Sequence, residues 1–346
     1  MTQLSSASNV VFTSLEASKA ANEYVDYIRN NDGDGMPIYI PSMDYNAKDR
    51  KGFLPVVQGE LITVLGRPGN GKTGLMMWWA RQRAKDLVKR GIKNRVVLYL
   101  TLEQLIEELR LFHVAAEEHI SITDMAAGQL SPEQWDRVTQ ALNNPGMLAT
   151  PLWFIGKSRR RRKVKQEITE QVVRKAMTDV ELWQGDNVVQ EIDSIFIDYL
   201  QRFRSHGGDW VQFYGDLVNG IKNLAEDFNT RVVLGVQAKR EVDSRKVPIP
   251  MMDDGQWTST IEQFSDGVLS VVRPSHYLKP SDKMAPMWGE GKDALYITDH
   301  QDMIIYTLKR KKGPDNFQTV VRFTPEYNQL DKAELEHANP EEDDDG

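Results

Sequence analysis

From residue 60 to residue 273 the chain alternates between two patterns. Short apolar, β-branched runs recur, namely "ELITVL", "RVVLYLT", "PLWFIG", "SIFIDYL", "TRVVLGVQ" and "GVLSVVR", and segments of helical periodicity fall between most of them. Strands that are apolar at nearly every position bury both faces, and strands separated by helices join in parallel through crossovers. The pattern predicts an α/β fold, a mainly parallel sheet with flanking helices. One helix is marked residue by residue over 132–143: Ser131 is the N-cap, Pro132 takes the first helical position and Gln134 closes a capping box. Further on, "DMIIYTLKR" and "QTVVRF" flank "KKGPDN", which predicts a C-terminal β-hairpin. Residues 12–30 carry apolar positions at mixed helical spacing before "NDGDG" stops them, so a helical arm on a short linker is expected. The stretch 274–300 reads as an irregular insertion and "NPEEDDDG" as a disordered end. The expected division is an arm at 1–35, an α/β domain at 36–332 and an acidic tail at 333–346, with no internal repeat.

Composition narrows the class. With 346 residues the chain can bury a large core, and with no cysteine it has neither disulfides nor a thiolate metal site. The first residues lack a basic segment followed by a long apolar one, and no apolar run approaches the roughly 20 residues of a membrane span. A cytoplasmic protein with no membrane partner is expected. A net charge of −7 argues against nucleic acid binding over the whole surface and leaves room for a basic inner channel.

The candidate chemistry starts at "GRPGNGKT", directly after the first apolar strand. Gly66, Arg67, Pro68, Gly69, Asn70, Gly71, Lys72 and Thr73 fill the spacing G-x-x-x-x-G-K-[ST]. Glycines let backbone N–H groups turn inward around phosphate oxygens, and the helix that follows contributes its positive end. Lys72 is placed to reach the β- and γ-phosphates, and the Thr73 hydroxyl to meet Mg²⁺. A nucleotide and Mg²⁺ are the implied ligands. Hydrolysis further needs a metal-orienting carboxylate and a group that positions water. Asp198 ends an apolar strand, either beside Thr73 as a metal ligand or as a turn cap. Glu103 lies just past another strand at the carboxyl edge, as a base or as a helix N-terminal acid. Gln237 ends a third strand at the same edge, as a γ-phosphate sensor or as a plain polar strand end.

Taken in order, "GRPGNGKT", "LYLTLEQ", "GQLSPEQWDRV", "FIDYLQRF", "RVVLGVQAKREVDSR", "STIEQFSD" and "LKRKKGP" resemble the ATPase domain of the DnaB-like replicative hexameric helicases, which has a RecA-like fold. The resemblance spans roughly residues 12 to 330. It implies Glu103 as catalytic base, Asp198 as Walker B metal ligand and Gln237 as the glutamine that couples γ-phosphate to DNA. It casts residues 12–30 as a linker helix that docks on a neighbouring subunit of a hexameric ring. Partners implied are other copies of the chain, single-stranded DNA, and a loader or primase.

Three positions depart from that pattern. The family's N-terminal, primase-meeting domain is expected to be absent, with no room for it before residue 12. The hairpin that sends a lysine and an arginine to the neighbour's nucleotide reads "LKRKKGP": Lys309 matches the lysine, but Lys311 stands at the arginine position with Arg310 adjacent. Lysine lacks the planar fork of arginine, so either Lys311 serves or Arg310 takes over through a local shift. The third departure is Gln256 and Trp257, standing where the family's DNA loop carries Arg-Glu.

Candidate DNA contacts are Arg202, Arg204, Lys239, Arg240, Arg245, Lys246 and Gln256, which would track phosphates without reading sequence. Trp257 either stacks a base or packs under its loop. The basic run 157–165, "KSRRRRKVK", is either a solvated charge run or a nucleic acid or partner contact. The resulting expectation is an ATP-dependent ring helicase of replication, of the stripped-down kind found in mobile elements. A recombination-mediator ATPase and a scaffold or partner-remodelling ring ATPase remain open beside it.

Overall fold

Leu61–Gly66 (β1) lies inside a nine-stranded sheet with a parallel neighbour on each side. The computed structural model describes residues 13–30, 34–48, 50–159, 191–203, 210–245, 248–255, 258–277, 283–284, 296–297 and 301–332. On one side of β1 stand Arg231–Gln237 (β5), Glu191–Asp198 (β4), Arg95–Leu105 (β2) and Leu152–Lys157 (β3), all in parallel pairs. On the other side is Gly267–Val272 (β6), also parallel. Beyond β6 the sheet turns antiparallel through Asp302–Arg310 (β9), Phe317–Thr324 (β10) and Gln329–Lys332 (β11). The short strands Lys283–Met284 (β7) and Tyr296–Ile297 (β8) pair separately within the stretch expected to be irregular. The expected mainly parallel sheet is present, and the expected hairpin is two strands of its antiparallel edge.

The helices are Ser14–Asn30 (α1), Lys72–Lys89 (α2), Ile106–Glu118 (α3), Ile122–Ala127 (α4), Pro132–Asn143 (α5), Pro145–Ala149 (α6), Trp210–Asp227 (α7) and Thr258–Phe264 (α8). The capping box read from the sequence closes α5: Ser131 Oγ accepts from the Gln134 N–H at 3.2 Å, and Gln134 Oε1 accepts from the Ser131 N–H at 2.9 Å. The chain divides into two compact units, Met1–Met36 and Pro37–Gly346. In the first, α1 opens with a reciprocal Thr13–Glu16 cap and leaves Leu15 and Val25 exposed. Residues 333–346, read as an acidic tail, lie outside the described residues.

Every residue of β1 and β6 is buried, as strands covered on both faces require. On one face Tyr214, Val218, Ile221 and Leu224 of α7 join Leu61, Ile195, Val232 and Leu234 in a single core. Burying each aliphatic side chain there contributes about 1.5–3 kcal/mol. On the other face Trp79 of α2 meets Phe196 edge-on at 5.8 Å, and Phe196 stacks on Tyr99 at 6.1 Å. Asp193 is buried between Arg83 (2.6 Å) and Arg231 (3.1 Å), so its charge is compensated from a helix on one side and a strand on the other.

A second core under α3–α6, built from Val114, Ala115, Ile120, Met125 and Val138, borders a buried histidine. Burial, then the charges of Arg81, Arg110 and Lys85, push the His113 pKa down to about 3, with the Glu117 carboxylate 3.7 Å away. The folded state therefore keeps His113 neutral while the unfolded chain takes up a proton below about pH 6.5. Stability is lost as the pH falls through that window, by up to about 1.4 kcal/mol per pH unit. Denaturant titrations of the parent and His113→Gln at pH 7, 6 and 5 are expected to diverge, the parent losing stability more steeply. Parallel curves would contradict the buried neutral histidine.

Candidate nucleotide site and nucleic acid loop

The sheet's parallel direction brings the carboxyl ends of β1, β2, β4 and β5 to one edge, and the loop Gly66–Thr73 turns there into α2. Register fixes the neighbours: Gly66 pairs with Gln237, and Thr101 pairs with Asp198. Within the loop, Gly69 (φ 80°) and Gly71 (φ 83°) adopt left-handed backbone. A Cβ on Gly71 would also collide with Met303 Cε. Thr73 Oγ1 donates to Asp198 Oδ2 at 2.6 Å, and the Tyr99 hydroxyl donates to the same oxygen at 3.2 Å.

The other carboxylate oxygen, Asp198 Oδ1, is buried with no hydrogen-bond partner among the described residues. Burial raises the Asp198 pKa, with Lys72 and the hydroxyls of Thr73 and Tyr99 opposing it. Lys72 is buried too. Desolvation lowers its pKa against the charges of Asp198 and Glu103, and its ammonium lies 4.5 Å from the centre of the Tyr199 ring. A buried carboxylate oxygen whose lone pairs accept no hydrogen bond among the described residues, beside a hydroxyl at the head of a phosphate loop, is a donor set that would suit Mg²⁺ together with phosphate oxygens. Among the described residues there is no cluster of three or more His, Cys, Asp or Glu that would hold a metal alone.

Glu103 stands exposed near the end of β2, which runs on to Leu105 rather than stopping before it as the sequence suggested. A cavity of about 410 Å³ joins the loop to Glu103, Tyr199 and Gln237 on one side and to Phe112, Ile122, Arg273, Phe323, Pro325 and Asn328 on the other. The second group was not found from the sequence. Its members come from two helices, from the residue after β6 and from the β10–β11 edge, and no local spacing links them. Gln201 was missed as well: its side chain donates to Gln237 O and accepts from Gln237 N, both at 3.0 Å, which fastens the end of β5 to the turn after Asp198. Its place three residues after Asp198 in "IDYLQ" was the available signal.

The hairpin residues lie elsewhere. β9 runs antiparallel to β6 and pairs Arg310 with Gly267, the first residue of β6, so the hairpin sits at the amino edge of the parallel strands. Six residues of strand separate the two edges, roughly 16–20 Å. Neither Lys309 nor Lys311 borders the cavity at the chain's own phosphate loop. Lys311 is exposed and its ammonium reaches Asp266 Oδ1 at 3.2 Å; Lys309 donates to Glu262 O. Arg310 turns the opposite way. It is buried, paired with Glu60 at 2.9 Å, bonded to Pro55 O and seated 4.9 Å over the Phe53 ring. Strand alternation thus sets Arg310 on the side opposite Lys309 and Lys311, in contact with Glu60 and Phe53.

Of the residues read as DNA contacts, Lys239 and Arg240 are exposed directly after Gln237 and Ala238. Arg245 grips both oxygens of buried Asp254 at 2.5 Å, closing the loop on itself, so its charge is already compensated. Arg202 lies in a 3-10 turn (Leu200–Arg202), and Arg204, Lys246, Gln256, Trp257 and most of the 157–165 run lie outside the described residues. Arg67, expected at the nucleotide, borders the cavity at the phosphate loop and pairs with Asp243 of the turn after Lys239 at 2.6 Å.

A glycine-cornered loop between a buried parallel strand and a helix, with a hydroxyl–carboxylate pair beside it, defines a P-loop nucleotide-binding domain. Its fold is RecA-like. A solved ATPase domain superposes with a TM-score of 0.68 at 17% identity, covering 92% of this chain and 98% of that one. A DnaB-like replicative helicase, solved in work on its interactions with primase, gives 0.65 at 18% identity over 92% and 67%. Residues 50–332 match the family described as DnaB-like helicase C terminal domain, and the chain belongs to that family. Replicative DNA helicase DnaB of Rickettsia typhi is 27% identical over 275 residues, 74% of this chain and 50% of that protein. The same-named protein of Geobacillus stearothermophilus is 27% identical over 269 residues, 75% and 52%. The chain thus spans about half the length of these curated relatives.

Proposed function

We propose that this chain is an ATP-hydrolysing subunit of a ring, a hexamer, that moves along single-stranded DNA and separates duplex ahead of it. The observation that carries the proposal is the opposition of two sheet edges: the phosphate loop with Thr73 and Asp198 at one, the exposed Lys311 beside Lys309 at the other. Each edge is half of a catalytic site, and a ring of identical subunits brings the two halves together. In that arrangement the loop amides and Lys72 hold the triphosphate. Glu103 takes the proton of the attacking water, and Gln237 senses the γ-phosphate. Thr73 and Asp198 would hold Mg²⁺ together with phosphate oxygens, and the ion would supply charge neutralisation at the β- and γ-phosphates. Lys311 of the adjacent subunit meets the charge that builds on the transferred phosphoryl group. Helix α1, with Leu15 and Val25 exposed, is the segment we assign to docking between subunits. Lys239 and Arg240 face the DNA backbone and would bind it without regard to sequence.

A tailed-fork unwinding assay with ATP, run beside a titration of labelled single-stranded oligonucleotide, tests the reading. Strand separation that requires ATP is expected. The oligonucleotide affinity should fall with salt by about 0.7 log units per log unit for each phosphate contact. ATP-dependent binding without unwinding would favour a recombination-mediator ATPase, and absence of DNA affinity a scaffold ring.

A further inference from the structure

Two of the variable positions in the phosphate loop are tied by their side chains to other chain segments. Arg67 Nε and Nη2 donate to the Asp243 carboxylate over 2.6–3.0 Å, and Arg67 Nη1 donates to Ala238 O at 2.9 Å. Asn70, almost fully buried, accepts from the Arg273 N–H at 2.8 Å and donates to the Tyr277 hydroxyl at 2.9 Å. Tyr277 in turn donates to Asp243 Oδ1 at 3.0 Å. The Asn70 N–H closes the circuit on Arg67 O at 3.2 Å. Four side chains from three chain segments, the phosphate loop, the turn Arg240–Ser244 and the residues after β6, therefore form one closed ring.

The ring is charged where it matters. Its one carboxylate belongs to the turn that begins with exposed Lys239 and Arg240, and its one guanidinium belongs to the phosphate loop. The hydrogen bond from Arg67, then that from the Tyr277 hydroxyl and the Arg67 and Arg240 charges, hold the Asp243 carboxyl below the usual carboxylate range, so it stays ionised at neutral pH. A shift of the turn cannot leave Arg67 where it is without breaking a bidentate charge-assisted pair. Conversely, a triphosphate that draws Arg67 toward it must release Asp243.

We infer that Asp243 is a positioning residue that couples occupancy of the nucleotide loop to occupancy of the Lys239–Arg240 segment, acting through Arg67 and braced by Tyr277 and Asn70. The inference rests on the reading of these two places as nucleotide and single-stranded DNA sites. It adds that they communicate through this ring, with Gln237 not the sole link between them. Coupling of this kind is reciprocal: each ligand changes the other's affinity by one common factor, typically about 5–150.

The test measures that factor. Affinity of the assembled protein for the non-hydrolysable analogue AMP-PNP with Mg²⁺ is measured with and without oligo(dT), and oligo(dT) affinity with and without AMP-PNP. The parent is expected to show the same factor, about 5 or more, in both directions. Asp243→Asn should bring the factor close to one while AMP-PNP affinity without DNA does not fall by more than about 3-fold, because Asp243 itself lies outside the cavity at the phosphate loop. Asp243→Glu should restore most of the factor, and Tyr277→Phe, which removes only the bridging hydroxyl, should lower it partway. An unchanged factor in both Asp243→Asn and Tyr277→Phe overturns the inference and leaves the functional reading standing. Equal loss of AMP-PNP affinity with and without DNA also overturns it, since Asp243 would then be a plain brace. A parent protein with no factor at all removes the inference together with the reading of the DNA site.

Discussion

Lys311→Ala is expected to lower DNA-stimulated ATP hydrolysis by about 10³-fold in assembled protein, while Arg310→Ala, one residue away, is expected to lower stability instead. A positive side chain supplied in trans to the transferring phosphoryl group is worth about 10³–10⁵ in rate. Lysine presents a point charge without the two-pronged fork of arginine, which sets the expectation at the low end of that range. Lys311 is exposed at the hairpin turn and tethered, among the described residues, only by its contact with Asp266, so it is available to a neighbour. Arg310 is not. Its removal leaves Glu60 buried without its cation and empties the space over Phe53. Breaking a buried pair in this way costs about 3–5 kcal/mol. Steady-state ATPase and denaturant midpoints, taken on both variants, separate the two effects. A thousandfold rate loss in Arg310→Ala with unchanged stability would return the arginine to the catalytic role.

Glu103→Gln is expected to keep nucleotide binding and lose turnover. Glu103 lies two residues past Thr101, which the sheet pairs directly with Asp198, so its carboxylate stands on the strand next to the metal-side carboxylate. Its charge is felt at Lys72. An amide of the same shape keeps the packing and cannot accept the proton of water, a loss of about 10²–10⁴ in rate. AMP-PNP affinity should change by no more than about threefold, since the triphosphate is held by the loop amides and Lys72. ATPase near the parent level would remove Glu103 from the chemistry and leave it as a polar strand end.

Much of this site is written in local sequence, and the reason is geometric. Strands buried on both faces must be apolar along their whole length, so β1, β2, β4, β5 and β6 announce themselves, and parallel direction sends Gly66, Asp198 and Gln237 to one edge. The two-residue period of a strand sets Arg310 opposite Lys309 and Lys311, and the fold decides which of the two sides faces inward. What the sequence hides is pairing across distance. Arg245 looks like a free cation until the fold sets it against Asp254, and nothing local to Arg67 announces its pairing with Asp243, 176 residues away. β11 is four residues with two charges, too short and too polar for periodicity to mark, and it exists because β10 offers it an edge. The far wall of the cavity, Phe112, Arg273 and Phe323, is assembled from three separate segments and has no motif.

The central claim is that each nucleotide site is completed by the hairpin of another subunit. Subunit mixing tests it directly. Lys72→Ala protein lacks a working phosphate loop and keeps its hairpin, while Lys311→Ala protein keeps its loop and lacks the hairpin lysine. Each alone is expected to be nearly inactive. Mixed in equal amounts and reassembled, they form some interfaces that pair an intact loop with an intact hairpin, and ATP hydrolysis should rise well above the sum of the two separate proteins. Mixtures no more active than that sum, in rings shown to contain both kinds of subunit, would contradict a site shared between subunits.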